Sequence, residues 1–342
     1  MTTAYVYDPI YLEHDLPGHP EHAGRLRHIL EVLHKEEMLQ KLEELAPRAA
    51  TLEELERVHA PQLIQQVRRT AQAGGGHLDA DTYVSQRSFD AALMAAGGVA
   101  RAVEAVLSGE IGNAFALVRP PGHHATPTRS MGFCLFNNVA VAARAALAQD
   151  GVERVLIVDF DVHHGNGTED IFAGDPDVMY VSTHQYPYYP GTGNWSETGH
   201  GDGTGTVLDV PLPPGVGDAG YAQILADLVW PLAERYRPDL VLVSAGYDAH
   251  WSDPLAQMGL SLTGYADLSR ELVEMAMRLC DGRIVFTLEG GYQVNVLAYG
   301  VLNALYAMLG DATIADPFGP SSRPGRPVDG LVARLRDLHG LN

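Results

Sequence analysis

Asp161 and His163 stand one residue apart in the run Asp159-Phe160-Asp161-Val162-His163, and they carry the most specific chemistry in the chain. In extended backbone alternate residues share a face, so this carboxylate and imidazole point the same way. With one carboxylate from elsewhere they would make a three-ligand metal site that keeps a coordination position open. Asp248, in SAGYDAH, is the natural third ligand. The bland alternative is a hydrogen-bonded Asp–His pair at a helix N-terminus. Gly122-His123-His124 follows two prolines that fix the backbone. A lone histidine is usually a satisfied core or surface residue. Adjacent imidazoles here suit a pair that takes a proton from attacking water and returns it to a leaving group. Each needs an acceptor on its other nitrogen, and Asp159 and Asn166 are the candidates. In Glu289-Gly290-Gly291-Tyr292 the glycines permit close approach or positive φ. They would deliver a phenol able to polarise a carbonyl and hold an oxyanion; taken alone, the stretch is a turn with an aromatic lid.

These segments share a position in the chain's pattern. Aliphatic runs at Ala114–Val118, Val155–Val158, Val178–Val181, Leu240–Val243 and Ile284–Leu288 each lead directly into one of them or into STH at 182–184. Such runs, alternating with helices, predict a parallel sheet covered on both faces. Ligands bind beyond the carboxyl ends of such strands. An amphipathic helix is expected over 21–46 from the spacing of Leu26, Ile29, Leu30, Leu33, Leu39 and Leu42, with Ala-rich buried helices over 89–107 and 137–149. Residues 316–327 are Pro-rich and lead into a short amphipathic stretch. That end is expected to pack as a tail on a single domain spanning 1–342.

A chain of 342 residues, 46% hydrophobic, has ample apolar material for a core, which excludes wholesale disorder. The net charge is −20 and the only lysines are Lys35 and Lys41, so a phosphate backbone would be repelled and nucleic acid is not an expected partner. Two cysteines, Cys134 and Cys280, make neither a disulfide scaffold nor a multi-cysteine zinc site. No basic-then-apolar leader is evident, and no apolar run reaches the ~18 residues of a membrane span. A cytoplasmic setting without membrane contact is expected.

The ordered set PGHH, DFDVHHGNGT, STH, PGTG, SAGYDAH and LEGGY resembles the zinc-dependent histone deacetylase and acetylpolyamine amidohydrolase superfamily, from GHPEHAGRL at 18–26 to LEGGY at 288–292. The resemblance implies an α/β, arginase-like three-layer fold with a central parallel sheet, and removal of acetyl-type groups from an acyl-lysine or small acylated amine. It implies Zn²⁺ on Asp161, His163 and Asp248, a donor set that also accepts Fe²⁺ or Co²⁺. It implies His123 and His124 as proton-transfer pair, Asp159 and Asn166 as their partners, and Tyr292 as the carbonyl-polarising group. Gly132, Phe133 and Tyr189 match the walls of a narrow acyl-lysine tunnel, with Asp81 at its rim, and Gly290 and Gly291 are counted with them as substrate-binding. Potassium is implied at Asp159, Asp161, His163, Ser182 and Thr183, with an outer ion near Phe172 and Val178.

Asn166 stands where one branch of the superfamily has Asp, and the DVHHGNGT and LEGGY wording is similar to class II and bacterial members. Leu255 occupies the place of a Glu gatekeeper in polyamine-selective relatives, which favours acyl-lysine or a neutral amide. Tyr189 replaces the usual Phe. A binuclear manganese ureohydrolase would need further bridging carboxylates, and a non-catalytic acyl-lysine binder has no use for proton-transfer groups. GHGDGTGT at 199–206 lacks the strand–turn–helix setting of a dinucleotide loop and reads as a mobile surface loop. His22, His28 and His34 are expected on the solvated side of the first helix, and Cys134 as a small buried hydrophobe.

Overall fold

The computed structural model describes residues 2–341; Met1 and Asn342, the ends of the expected 1–342 domain, lie outside the described residues. Ten strands occur among them: β1 (Thr3–Val6), β2 (Glu43–Leu45), β3 (Gly75–His77), β4 (Tyr83–Ser85), β5 (Asn113–Ala116), β6 (Val155–Asp159), β7 (Val178–Gln185), β8 (Val207–Leu212), β9 (Leu240–Ala245) and β10 (Ile284–Leu288). Eight form one sheet in the order β2-β1-β5-β10-β9-β6-β7-β8, and every pairing in it is parallel. β3 and β4 make a separate antiparallel hairpin. The helices are α1 (Gly24–Lys35), α2 (Leu52–Glu56), α3 (Pro61–Gln72), α4 (Ser88–Leu107), α5 (Asn138–Leu147), α6 (Asn166–Phe172), α7 (Asp218–Ile224), α8 (Trp230–Tyr236), α9 (Leu262–Leu279), α10 (Val294–Met308) and α11 (Asp329–Leu338). This is the three-layer α/β arrangement, with helices flanking a central parallel sheet.

The central strands are buried at every residue, as a sheet covered on both faces requires. α4 and α5 pack on each other and on β5, β6, β9 and β10, while α1, α9 and α10 pack together as a second group. α4 is rich in Ala and Gly because it runs close to other backbone: a Cβ at Gly97 would strike the backbone of Arg48–Ala50. Asn137 caps α5, its side chain accepting from the Ala140 amide.

One row across the sheet is polar. Thr287, Ser244, Asp159, Ser182 and Asp209 lie side by side on β10, β9, β6, β7 and β8. Residues paired in parallel strands share a face, so this row brings hydroxyls and carboxylates through the sheet just beneath its carboxyl edge.

Several expectations change. The helix expected over 21–46 ends at Lys35; Glu37 turns left-handed (φ 54°), and the chain then enters edge strand β2. β7 continues through Ser182, Thr183 and His184 to Gln185, beyond the Val181 limit. His34 is exposed, but His22 and His28 are half-buried: His22 Nδ1 accepts from the Gly24 amide, and His28 Nε2 meets Asn295 Oδ1 at 2.8 Å. The 199–206 stretch is not free: the His200 amide donates to Ala173 O (2.7 Å) and the Gly205 amide to Thr198 O (2.6 Å). α11 buries Val332 and Leu335 while Arg336 donates to Asp227 O.

Candidate active site

Four strand ends build the site. After β6, Asp161 and His163 leave the sheet edge; after β9 comes Asp248; after β10 comes the Glu289–Tyr292 turn; and beyond β5 lies the 120–124 turn. Asp161, His163 and Asp248 are buried and bring one ligand atom each to within 4.8 Å of the others. His163 Nδ1 lies 3.1 Å from Asp161 Oδ1 and 3.3 Å from Asp248 Oδ2.

The donor set fits a divalent cation. Asp248 Oδ2 is buried without a hydrogen-bond partner among the described residues. Its other oxygen accepts from the Val162 amide, and Asp161 Oδ2 accepts from the Gly290 amide, so backbone aims both carboxylates. A Cβ at Gly290 would collide with both carboxylates, and one at Gly246 with Asp161. Burial works against the His163 imidazolium, yet the facing Asp161 and Asp248 carboxylates push its pKa up to about 10. That shift measures how strongly the two carboxylates together favour positive charge between them.

Above this trio sit the paired imidazoles. His123 Nδ1 faces Asp159 Oδ2 at 3.0 Å, and His124 Nδ1 faces Asn166 Oδ1 at 2.9 Å, the pairing expected from sequence. The rings are 4.0 Å apart. Asp159 is shared, since the Tyr180 hydroxyl donates to the same oxygen. Burial, with His123 and His163 adding to it, holds His124 well below the usual histidine range. Glu289 fixes the turn from below: its Oε2 accepts from the Gly122 amide at 2.7 Å, and burial pushes its pKa up to about 7.

A cavity of about 270 Å³ opens over the trio, lined by Asp81, His124, Gly132, Phe133, His163, Tyr188, Tyr189, Leu255 and Tyr292. Of the expected substrate-binding residues, Asp81, Gly132, Phe133, Tyr189 and Leu255 line it, whereas Gly290 and Gly291 do not. Gly132 (φ 56°) has no room for a side chain, because a Cβ would press on the His124 ring and the Tyr189 hydroxyl. Phe133 and Tyr292 meet edge to face with ring centres 5.8 Å apart. The Tyr292 hydroxyl makes no hydrogen bond among the described residues, so it is free to bind a ligand oxygen. Gly291 adopts φ 117°, which lets the turn reverse beneath it.

Sequence reasoning missed the supports. Arg25 is fully buried, donates to Gly291 O (2.8 Å) and Glu289 O (2.7 Å), and lies over the Tyr292 ring. Asp253 Oδ2 accepts from the Tyr292 and Gln293 amides. Tyr188, which donates to Leu255 O, completes the wall. Only the presence of Arg25 in GHPEHAGRL and of Asp253 beside Asp248 hinted at these roles. For potassium, the structure brings Asp159 and Ser182 together on adjacent strands, but Ser182 Oγ is engaged by His184 Nδ1 at 2.9 Å. The Phe172 carbonyl, expected near an outer ion, accepts from the Asp175 amide.

A parallel α/β sheet carrying a buried Asp/His/Asp trio under tandem histidines and a tyrosine defines a metal-dependent amidohydrolase class, and the chain belongs to the histone deacetylase family. The Histone deacetylase domain matches residues 19–308. A probable deacetylase from Archaeoglobus fulgidus is 42% identical over 91% of this chain and 87% of its own length. The histone deacetylase-like amidohydrolase of Pseudomonas aeruginosa is 38% identical over 88% of this chain and 80% of its own. The crystal structure of the HDA15 HD domain superposes with a TM-score of 0.90 at 37% identity, covering 99% of this chain and 94% of that one. The protein is therefore a metal-dependent enzyme that hydrolyses acylated amines. Among the described residues no helix is long and apolar enough to cross a membrane.

Proposed function

We propose that this enzyme deacylates an acyl-lysine side chain, or a small acylated amine of similar width, at a single Zn²⁺ held by Asp161, His163 and Asp248. The observation that carries this reading is the narrow, aromatic-walled cavity that reaches the trio at His163 and is lined on its side by Tyr292. The bound cation supplies Lewis-acid polarisation of the acyl carbonyl and of the attacking water, the water's pKa falling toward ~7. Phe133 and Tyr189 clamp the methylene chain of the substrate, and Asp81 accepts from its backbone amides at the rim. The His123–His124 pair, oriented by Asp159 and Asn166, takes the proton from water and returns it to the leaving amine. Tyr292 donates to the oxyanion as it develops.

Potassium at Asp159 and Ser182 with the carbonyls of Asp161, His163 and Thr183, and near Phe172 and Val178, belongs to the same reading. So does a reducing, cytoplasmic setting, which two buried free thiols suit. Leu255 at the cavity wall, being apolar, favours acyl-lysine over an acetylated polyamine.

A panel of acetyl-lysine peptides, longer acyl-lysines, acetylated polyamines and anilides, run with elemental analysis of the same preparation, tests the assignment. Turnover is expected to be highest on an acyl-lysine peptide, lost with chelation and restored by Zn²⁺. Tyr292→Phe should remove most turnover while zinc content is retained. Near-normal activity of that variant would defeat the role given to Tyr292, and preference for acetylpolyamine would defeat the substrate.

A further inference from the structure

A second group of metal-ligating side chains lies on the far side of His163, and the proposed reaction uses none of it. Two clusters meet at Asp209: His164 with His184 and Asp209, and Glu169 with Glu197 and Asp209, His164 also touching Glu169. Glu169, Glu197 and Asp209 each bring a carboxylate oxygen to within 4.8 Å of the others. Asp209 is fully buried at the β8 end of the polar row, and neither of its oxygens has a hydrogen-bond partner among the described residues. Glu169 Oε2 and His164 Nε2 are likewise unpartnered.

His164 Nε2 lies 2.8 Å from Glu169 Oε2 and 3.2 Å from Asp209 Oδ1, yet neither contact has hydrogen-bond alignment. These are the separations of two donors that share one ion, each about 2.1 Å from it and roughly 2.8–3.5 Å from each other. The other nitrogen of His164 faces Thr192 Oγ1 at 2.8 Å. An N–H donated there leaves the Nε2 lone pair aimed into the carboxylates, as in metal-bound imidazoles oriented by a second partner. His184 lies in the same group, but Ser182 Oγ and Gly193 O already occupy its two nitrogens.

We propose that His164, Glu169, Glu197 and Asp209 form a second divalent-cation site, separate from Asp161, His163 and Asp248, that fastens the 186–198 segment to the sheet. Three carboxylates and one imidazole suit an ion of the Mn²⁺ type better than Ca²⁺, which takes oxygen donors alone. The two sites share no ligand, so the second ion does not bridge to the first. Its purchase is on Tyr188 and Tyr189, which the same segment carries into the cavity wall.

The test uses full-length Asp248→Asn protein, which lacks one donor of the proposed catalytic site but keeps an acceptor for the Val162 amide. MnCl₂ titrated into it by calorimetry should bind with one equivalent and raise Tm. Adding Asp209→Asn should weaken Mn²⁺ binding by about 100-fold, and adding Glu197→Gln by about tenfold. Glu197 lies at the solvent edge, so that variant carries the test if Asp209→Asn fails to fold. The proposal is overturned if Asp248→Asn protein shows neither heat nor Tm shift with MnCl₂ up to about 5 mM. It is equally overturned if binding is indifferent to the Asp209 and Glu197 substitutions that fold. Either failure leaves the deacylation reading standing, because its ligands are different residues.

Discussion

A methyl group at Gly132 has nowhere to go, since the His124 ring and the Tyr189 hydroxyl fill the space it would enter and the backbone is left-handed. Gly132→Ala should therefore lower kcat/KM by about tenfold or more, through misplacement of an imidazole that must meet its proton in register. Steady-state kinetics on an acyl-lysine peptide measures this, and unchanged kinetics would show that the wall yields. Leu255 poses the opposite question, because its side is open to the cavity and has room for charge. Leu255→Glu, a carboxylate added near Asp81, should shift the ratio of kcat/KM for acetylated polyamine over acetyl-lysine peptide upward by about tenfold. A ratio that does not move would remove Leu255 from specificity.

His59 ties two loops behind the site: Nδ1 donates to Thr126 O at 2.9 Å, and Nε2 accepts from the Asn137 amide at 2.8 Å, at the cap of α5. Burial lowers its pKa from 6.5 to about 4, against a smaller raising effect of the Thr126 bond. Between those values the unfolded chain takes up a proton that the folded chain refuses. The stabilisation is thus complete above about pH 6.5 and is lost as pH falls toward 4, on the order of 3 kcal/mol in all. Thermal melts across that range should show Tm falling with pH, and His59→Gln should flatten the fall while lowering Tm at neutral pH. The elements around the site differ in how plainly they could be read. β5, β6, β9 and β10 each contain a dominant apolar run, and each was legible. β8 was not, because Asp209 and Pro211 interrupt it; the aspartate reaches into the polar row and the proline is tolerated on an edge strand. β7 looked shorter than it is because Ser182, in that same row, and His184, opposite Pro211, interrupt its apolar run. The proposed ligands and the histidine pair could be named because their residue types and spacing, together with the ordered motifs, single them out. Arg25 and Asp253 were not, since what they hold comes from turns far away in the chain.

The molecule as a whole carries −20, and Asp79 and Asp81 hydrogen-bond within one short turn at the cavity mouth. A cationic substrate is drawn in by that field, and added salt screens it within about 10 Å at 0.1 M. Raising NaCl at constant KCl should cut kcat/KM several-fold for a peptide with flanking lysines and leave a neutral anilide nearly unchanged. Equal sensitivity of the two substrates would place the effect elsewhere. The row Thr287–Ser244–Asp159–Ser182–Asp209 bears on engineering. A designer who transplanted only the loops onto another parallel sheet would set them over aliphatic rungs, with no anchorage for the histidine pair. The transferable unit is the six adjoining strands β5, β10, β9, β6, β7 and β8 together with their loops, so new specificities are better sought by altering the mouth than by moving the centre.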